Sequence, residues 1–198
     1  MSDALLIVYL HGFLSSPQSK KARQTLAYAT SLGLADNLFI PQLDSSPLAT
    51  INTLQKRVAG HDKLAFIGSS LGGFYASCMA EHCRAPAVLI NPAVRPHDYW
   101  QQYVGEHRNY HSDTLHSVTP EHVRELAELA PTEIGQPENY QVYLQKHDEV
   151  LDYRRALSLY GESHCIVHED GDHSFENFHL ELPQAIQFLL SRIGGSVR

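Results

Sequence analysis

Cysteine is scarce in this chain: Cys78, Cys83 and Cys165 are the only three in 198 residues. The set is odd in number and lacks metal-binding spacing, which points to free thiols in a reducing compartment. Basic residues are also few, 15 against 22 acidic ones, for a formal net charge of -7. A balance of this sign gives no footprint for nucleic acid. The tightest basic cluster, Lys20-Lys21 with Arg23, reads as a solvated helix face. No apolar run approaches the roughly 20 residues that span a bilayer. The longest early run, Ala4 to Leu10, has the length of a buried strand. Met1-Ser2-Asp3 carries no basic n-region, so no secretory signal is visible. Internal repeats and low-complexity tracts are missing as well. These absences together predict a cytoplasmic protein with neither a membrane span nor a nucleic-acid partner.

Hydrophobic content of 43% and charged content of 19% are ordinary for a globular protein. The length suits a single domain over residues 1–198. Short apolar runs at Leu5–Leu10, Asn37–Ile40, Leu64–Ile67, Ala87–Ile90, Tyr140–Leu144 and His164–Val167 read as strands. Helical periodicity falls between them. One helix runs through Ala22, Leu26 and Ala29, with Ser19 as its cap and Gly33 just past its end. A second runs through Leu48, Ile51, Leu54 and Val58, and the last through Leu182, Ile186, Leu189, Leu190 and Ile193, before Gly194-Gly195 releases a tail. This alternation predicts an α/β fold: a mainly parallel sheet flanked by helices. Ligands in such sheets sit outside the carboxyl ends of the strands.

Gly68-Ser69-Ser70-Leu71-Gly72 reads G-x-S-x-G between an apolar run and a helix-prone segment. Chance alone would give this pattern about 0.06 times in a chain of this composition. Strand, sharp turn with serine at the tip, then helix is the layout of a nucleophile elbow. Side chains at the flanking glycines would collide with neighbouring backbone. Ser70 is the candidate nucleophile, and the helix that follows aims its N-terminus at the reaction centre.

A serine hydroxyl needs a base, and the base needs an orienting acid. Among 13 histidines, His173 stands out in the turn-rich Asp170-Gly171-Asp172-His173-Ser174-Phe175, between the last strand and the final helix. His168, one residue past that strand, is its nearest rival. Asp148 follows the strand ending at Leu144 and is the candidate acid. Glu149 competes with it, and Asp152 looks like a helix N-cap. The order Ser70, Asp148, His173 is the one expected of this elbow type. For the oxyanion hole, one donor should be the Leu71 N–H and the other the Phe13 N–H, in the loop Tyr9-Leu10-His11-Gly12-Phe13. His11 is expected to brace that loop by hydrogen bonding.

Val94 to Gln136 shows no convincing strand. It holds Tyr99, Trp100, Tyr103 and Tyr110, then a helix starting at Thr119-Pro120 and running through Val123, Leu126 and Leu129. An excursion of this length, about 94–136, is expected to form a helical cap over the site. Its aromatics either line an acyl pocket or simply anchor the segment to the body.

With these residues in place, the chain resembles the α/β-hydrolase superfamily. Its "YLHGF", "GSSLGG", "INPAV", "DEVLDY" and "GDHSF" stretches resemble the small bacterial YqiA/YcfP-type esterases over nearly the whole length. The resemblance implies a compact α/β-hydrolase fold and hydrolysis of small-molecule carboxylic esters or acyl thioesters. It also implies Ser70, Asp148 and His173 as the catalytic set, with no cofactor. The chain begins almost directly at the strand before His11-Gly12, so the leading antiparallel strands of larger members are expected to be missing. Two rival readings stand beside this one. A metalloenzyme is suggested by His107, His111 and His116 and by His164, His168 and His173, although no H-E-x-x-H is present and the first group lacks a carboxylate partner. A non-catalytic member of the fold would bind a ligand or protein without turnover. Four elements in the expected order argue against it.

Overall fold

The computed structural model describes residues 2–109 and 115–193. Tyr110, His111 and Gly194-Gly195, named above, lie outside the described residues. The elements in chain order are β1 (Ser2–Leu10), α1 (Lys20–Ser31), β2 (Leu38–Phe39), α2 (Pro47–Val58), β3 (His61–Ser69), α3 (Leu71–Cys83), β4 (Ala87–Ile90), β5 (Gly105–Arg108), β6 (Leu115–Val118), α4 (Pro120–Leu129), β7 (Tyr140–Gln145), α5 (Tyr153–Tyr160), β8 (His164–His168) and α6 (Phe178–Arg192). Six strands form one sheet in the order β2-β1-β3-β4-β7-β8, and every pairing in it is parallel. The expected second strand shortens to two residues.

Side-chain alternation divides the core between the two faces of the sheet. Leu6, Val8 and Leu10 of β1, Phe66 of β3, Leu89 of β4 and Val142 of β7 pack with residues of α2, α3 and α5. Ile7 and Tyr9, Ile67, Val88 and Ile90 face the other way, onto Ala22 of α1 and Phe178, Leu182, Ile186 and Leu189 of α6. Each such side chain contributes roughly 1.5–3 kcal/mol when fully buried, so both layers hold the central strands fixed. Helix α3 is buried on nearly all sides, which explains its mixture of Gly, Ala, Phe, Tyr and Met without an amphipathic pattern. Among the described residues, no helix is long and apolar enough to cross a membrane.

The excursion between β4 and β7 differs in part from the sequence reading. Helix α4 starts where Thr119-Pro120 predicts: the Thr119 side chain accepts the His122 N–H at 3.2 Å, and Pro120 stands at the first helical position. Ahead of it, however, β5 and β6 pair as an antiparallel ribbon, His107 opposite His116. The two strands hide their periodicity because β5 buries none of its four residues. Ser19 occupies the N-cap position of α1 but makes no capping bond with its side chain. Asp152 does cap α5, accepting from the Arg154 N–H at 3.0 Å.

Candidate active site

The turn between β3 and α3 places Ser70 at φ 57° and ψ -124°. This backbone conformation costs a non-glycine residue about 1–3 kcal/mol. Its neighbours over-determine it: the Ser70 N–H donates to Ile90 O at 3.0 Å, and the Ser70 carbonyl accepts from Gly73 N at 2.9 Å and Ala93 N at 3.0 Å. The two elbow glycines are where close approach is tightest. A Cβ on Gly68 would press into the Gly72 carbonyl and come within 2.7 Å of Ala76 Cβ. A Cβ on Gly72 would strike the carbonyl oxygens of Leu10 and His11. Of the six non-glycine residues with positive φ among those described, Leu14, Ser70, Asn91 and Phe175 all sit at the carboxyl edge of the sheet around this turn.

Three side chains from distant parts of the chain meet there. His173 Nε2 lies 2.9 Å from Ser70 Oγ, and His173 Nδ1 lies 2.8 Å from Asp148 Oδ2. A carboxylate only accepts, so Nδ1 carries the proton and Nε2 is left to accept from the serine hydroxyl. The Asp148 side chain is 2% exposed and the His173 side chain 22%. The other Asp148 oxygen accepts the N–H groups of Val150 at 2.9 Å and Leu151 at 2.8 Å, so the buried charge is fully bonded.

The rival residues are otherwise engaged. Glu149 Oε2 accepts the backbone N–H of His173 at 3.0 Å. His168 ends β8 with Nε2 3.7 Å from Glu181 Oε1 and its ring against Phe175. His11 is buried, its Nδ1 3.0 Å from Gly12 O, in the bracing position expected of it. His107 sits in extended backbone, and its Nε2 donates to Tyr103 O at 2.6 Å. His116 Nδ1 lies 3.1 Å from Ser45 Oγ, and its Nε2 lies 3.3 Å from Asn109 Nδ2. No three His, Cys, Asp or Glu side chains gather at metal-binding distance among the described residues.

Ser70 opens into a cavity of about 570 Å³, a size that suits a small organic ligand. Its lining includes the aromatic residues Phe13, Tyr99, Trp100 and Tyr103 and the polar residues Ser19, Lys20, Lys21 and Glu176. Phe13 packs edge-on against Trp100 at 4.9 Å and Tyr103 at 5.7 Å between ring centroids. Tyr99, Trp100 and Tyr103 thus line the cavity beside Ser70 and, through Phe13, also tie the excursion to the body. Burial pushes the Tyr99 phenol well above its ordinary range, which keeps it neutral. The Phe13 N–H and the Leu71 N–H at the start of α3 have no acceptor among the described residues. Gly12 lies against the nucleophile: a Cβ there would be 3.3 Å from Ser70 Cβ.

The His173 loop is held at several points that the sequence reading did not anticipate. Asn91 Nδ2 donates to Asp172 O at 3.1 Å and to His173 O at 3.4 Å. Lys21 Nζ donates to Ser174 O. Burial lowers the Lys21 ammonium to about 8, against an opposing pull from Asp172.

A parallel sheet with helices on both faces and a serine at a strained strand-to-helix turn define an α/β-hydrolase fold. Solved structures agree. Alpha/beta hydrolase domain-containing protein 10 from mouse matches with a TM-score of 0.75 at 16% identity, over 94% of this chain and 90% of that one. Est1E from Butyrivibrio proteoclasticus, with ferulic acid bound, matches with a TM-score of 0.71 at 11% identity, over 97% and 90%. The chain belongs to the Uncharacterised protein family (UPF0227), whose model matches residues 6–190. It is 29% identical to a UPF0227 protein of Serratia proteamaculans, over 93% of this chain and 99% of that one. A Citrobacter koseri UPF0227 protein is 26% identical over the same shares.

Proposed function

We propose that residues 1–198 act as one α/β-hydrolase unit, a serine esterase that cleaves short- to medium-chain carboxylic esters through an acyl-enzyme. The observation that carries this reading is the relay Asp148–His173–Ser70, with contacts of 2.8 and 2.9 Å. His173 takes the Ser70 proton on Nε2 as Oγ attacks the ester carbonyl carbon. The carbonyl oxygen becomes an oxyanion and meets the N–H groups of Phe13 and Leu71; one such donor contributes about 3 kcal/mol to lowering the barrier. Asp148 stabilises the imidazolium without taking its proton. As the tetrahedral adduct collapses, His173 returns its proton to the departing alcohol and Ser70 is left acylated. Water then attacks the acyl carbon, giving one proton to His173, which passes it to Ser70 Oγ as the acyl–oxygen bond breaks, so the acid is released and serine and imidazole are restored. Thioesters follow the same sequence with a thiol leaving, and Est1E, similar in fold, has ferulic acid bound.

The test is turnover of p-nitrophenyl acetate and butyrate together with fluorophosphonate labelling. The wild type should hydrolyse and be labelled, and Ser70→Ala should do neither while remaining folded. Wild-type-like turnover by Ser70→Ala would reject the assignment. Absence of labelling in the wild type would favour a non-catalytic member of the fold.

A further inference from the structure

The stretch that ends β4 and leads away from it bonds to the backbone of Ser70, to the backbone at His173 and to the strand end that leads to Asp148. Ile90 O and Ala93 N hold the Ser70 backbone from both sides. Between them, Asn91 continues the sheet by donating its N–H to Tyr143 O at 2.9 Å. Its side chain then works in two directions. The Oδ1 accepts the Gln145 N–H at 2.9 Å, at the end of β7 and three residues before Asp148. The Nδ2 donates to the carbonyls of Asp172 and His173. Asn91 is 3% exposed, so water cannot substitute for these partners. Its φ of 41° is a left-handed backbone that asparagine tolerates better than most residues.

We propose that Asn91 is a positioning residue that sets the reach of His173 to Ser70. This rests on the esterase reading for its kinetic consequences but on geometry for its structural ones. A single amide, anchored on the strand beside the nucleophile, fixes the carbonyls at and before the base and the backbone that leads to the acid. Without it, the histidine loop keeps Glu149 and Lys21 but loses its tie to the strand that carries the Ser70 backbone contacts. Asn91 touches neither substrate nor the reacting atoms. It acts by keeping the imidazole at hydrogen-bonding distance, where a displacement of about 1 Å can lower the rate about 100-fold.

The test uses Asn91→Gly, which keeps the left-handed backbone while removing the amide, and Asn91→Asp, which keeps the acceptor for Gln145 but places an oxygen against the two carbonyls. Turnover of p-nitrophenyl butyrate is normalised to sites titrated by fluorophosphonate, so unfolded protein does not enter. Both variants should lose kcat by about 10- to 100-fold with KM within about twofold, and the acid limb of the pH profile should move. Wild-type kcat per titrated site in Asn91→Gly would overturn the proposal. A readout free of turnover is the proton shared by His173 Nδ1 and Asp148, followed by NMR and assigned with His173→Ala. It should shift or broaden in Asn91→Gly, and an unchanged resonance would overturn the proposal even if the wild type hydrolysed no ester. An inactive wild type with a shifted resonance would instead sink the esterase reading alone.

Discussion

Glu149 holds the backbone of His173 while its neighbour Asp148 holds the ring of the same residue, at 3.0 and 2.8 Å. Two adjacent carboxylates thus divide one task. The shorter side chain reaches the imidazole from a buried site, and the longer one reaches the main chain from outside. In the proposed mechanism only the first bears on the charge that forms on the imidazole.

Asp148→Asn preserves shape and removes that charge, so kcat should fall by about 10⁴-fold. Glu149→Gln still offers an oxygen to the His173 N–H, and its loss should stay near tenfold or less. Steady-state kinetics on p-nitrophenyl butyrate separate the two, and equal losses would contradict the division.

Strain at Ser70 can be measured apart from chemistry. Ser70→Ala and Ser70→Gly both lack the hydroxyl and should both be inactive. At φ 57° the glycine variant avoids the steric cost that alanine retains. Urea unfolding should therefore find Ser70→Gly more stable than Ser70→Ala by about 1 kcal/mol, after glycine's larger chain entropy is offset.

In the proposed mechanism Phe13 serves twice, through its amide as an oxyanion donor and through its ring as lining of the cavity. Phe13→Ala keeps the N–H and removes the edge-on contacts to Trp100 and Tyr103. The expected result is a KM raised about tenfold, with kcat changed far less. A collapse of kcat at constant KM would mean that the ring, not the amide, serves the transition state.

Lys21 gives a pH signature in stability. Its pKa is lowered from 10.5 to about 8 in the folded protein, chiefly by burial. Between those values the unfolded chain binds more protons than the folded one, so this group raises stability as pH rises from about 8 to 10.5. Below about 8 both states are protonated and the burial penalty is constant. Urea midpoints of the wild type measured against Lys21→Met should show the wild type gaining on the variant across that window. A constant difference would place the ammonium in water.

The elbow was legible because steric demands fall on single positions: Gly68 and Gly72 leave no room for a Cβ, and a sequence can register that only as glycine. The parallel sheet was legible because strands buried on both faces read as unbroken apolar runs. The β5–β6 ribbon was not, since Gly105–Arg108 buries nothing and carries no alternation. Asn91 escaped for another reason. The partners of its side chain lie 54, 81 and 82 residues away, and nothing local to Ile90-Asn91-Pro92 distinguishes a bridging amide from a turn residue.

The excursion leaves after β4 and returns at β7, and these two strands are hydrogen-bonded neighbours, Ala87 beside Tyr140 and Ile90 beside Tyr143. Its two feet stand side by side, so the ladder beneath sets no particular length for the chain between them. Val94, Trp100, Val118 and Leu126 pack into the core and must be kept, while the exposed positions around them are free to vary. If the chain is the esterase proposed above, change in which acyl groups it takes can outpace change in its chemistry, with Tyr99, Trp100 and Tyr103, which line the cavity beside Ser70, as the first places for it to show.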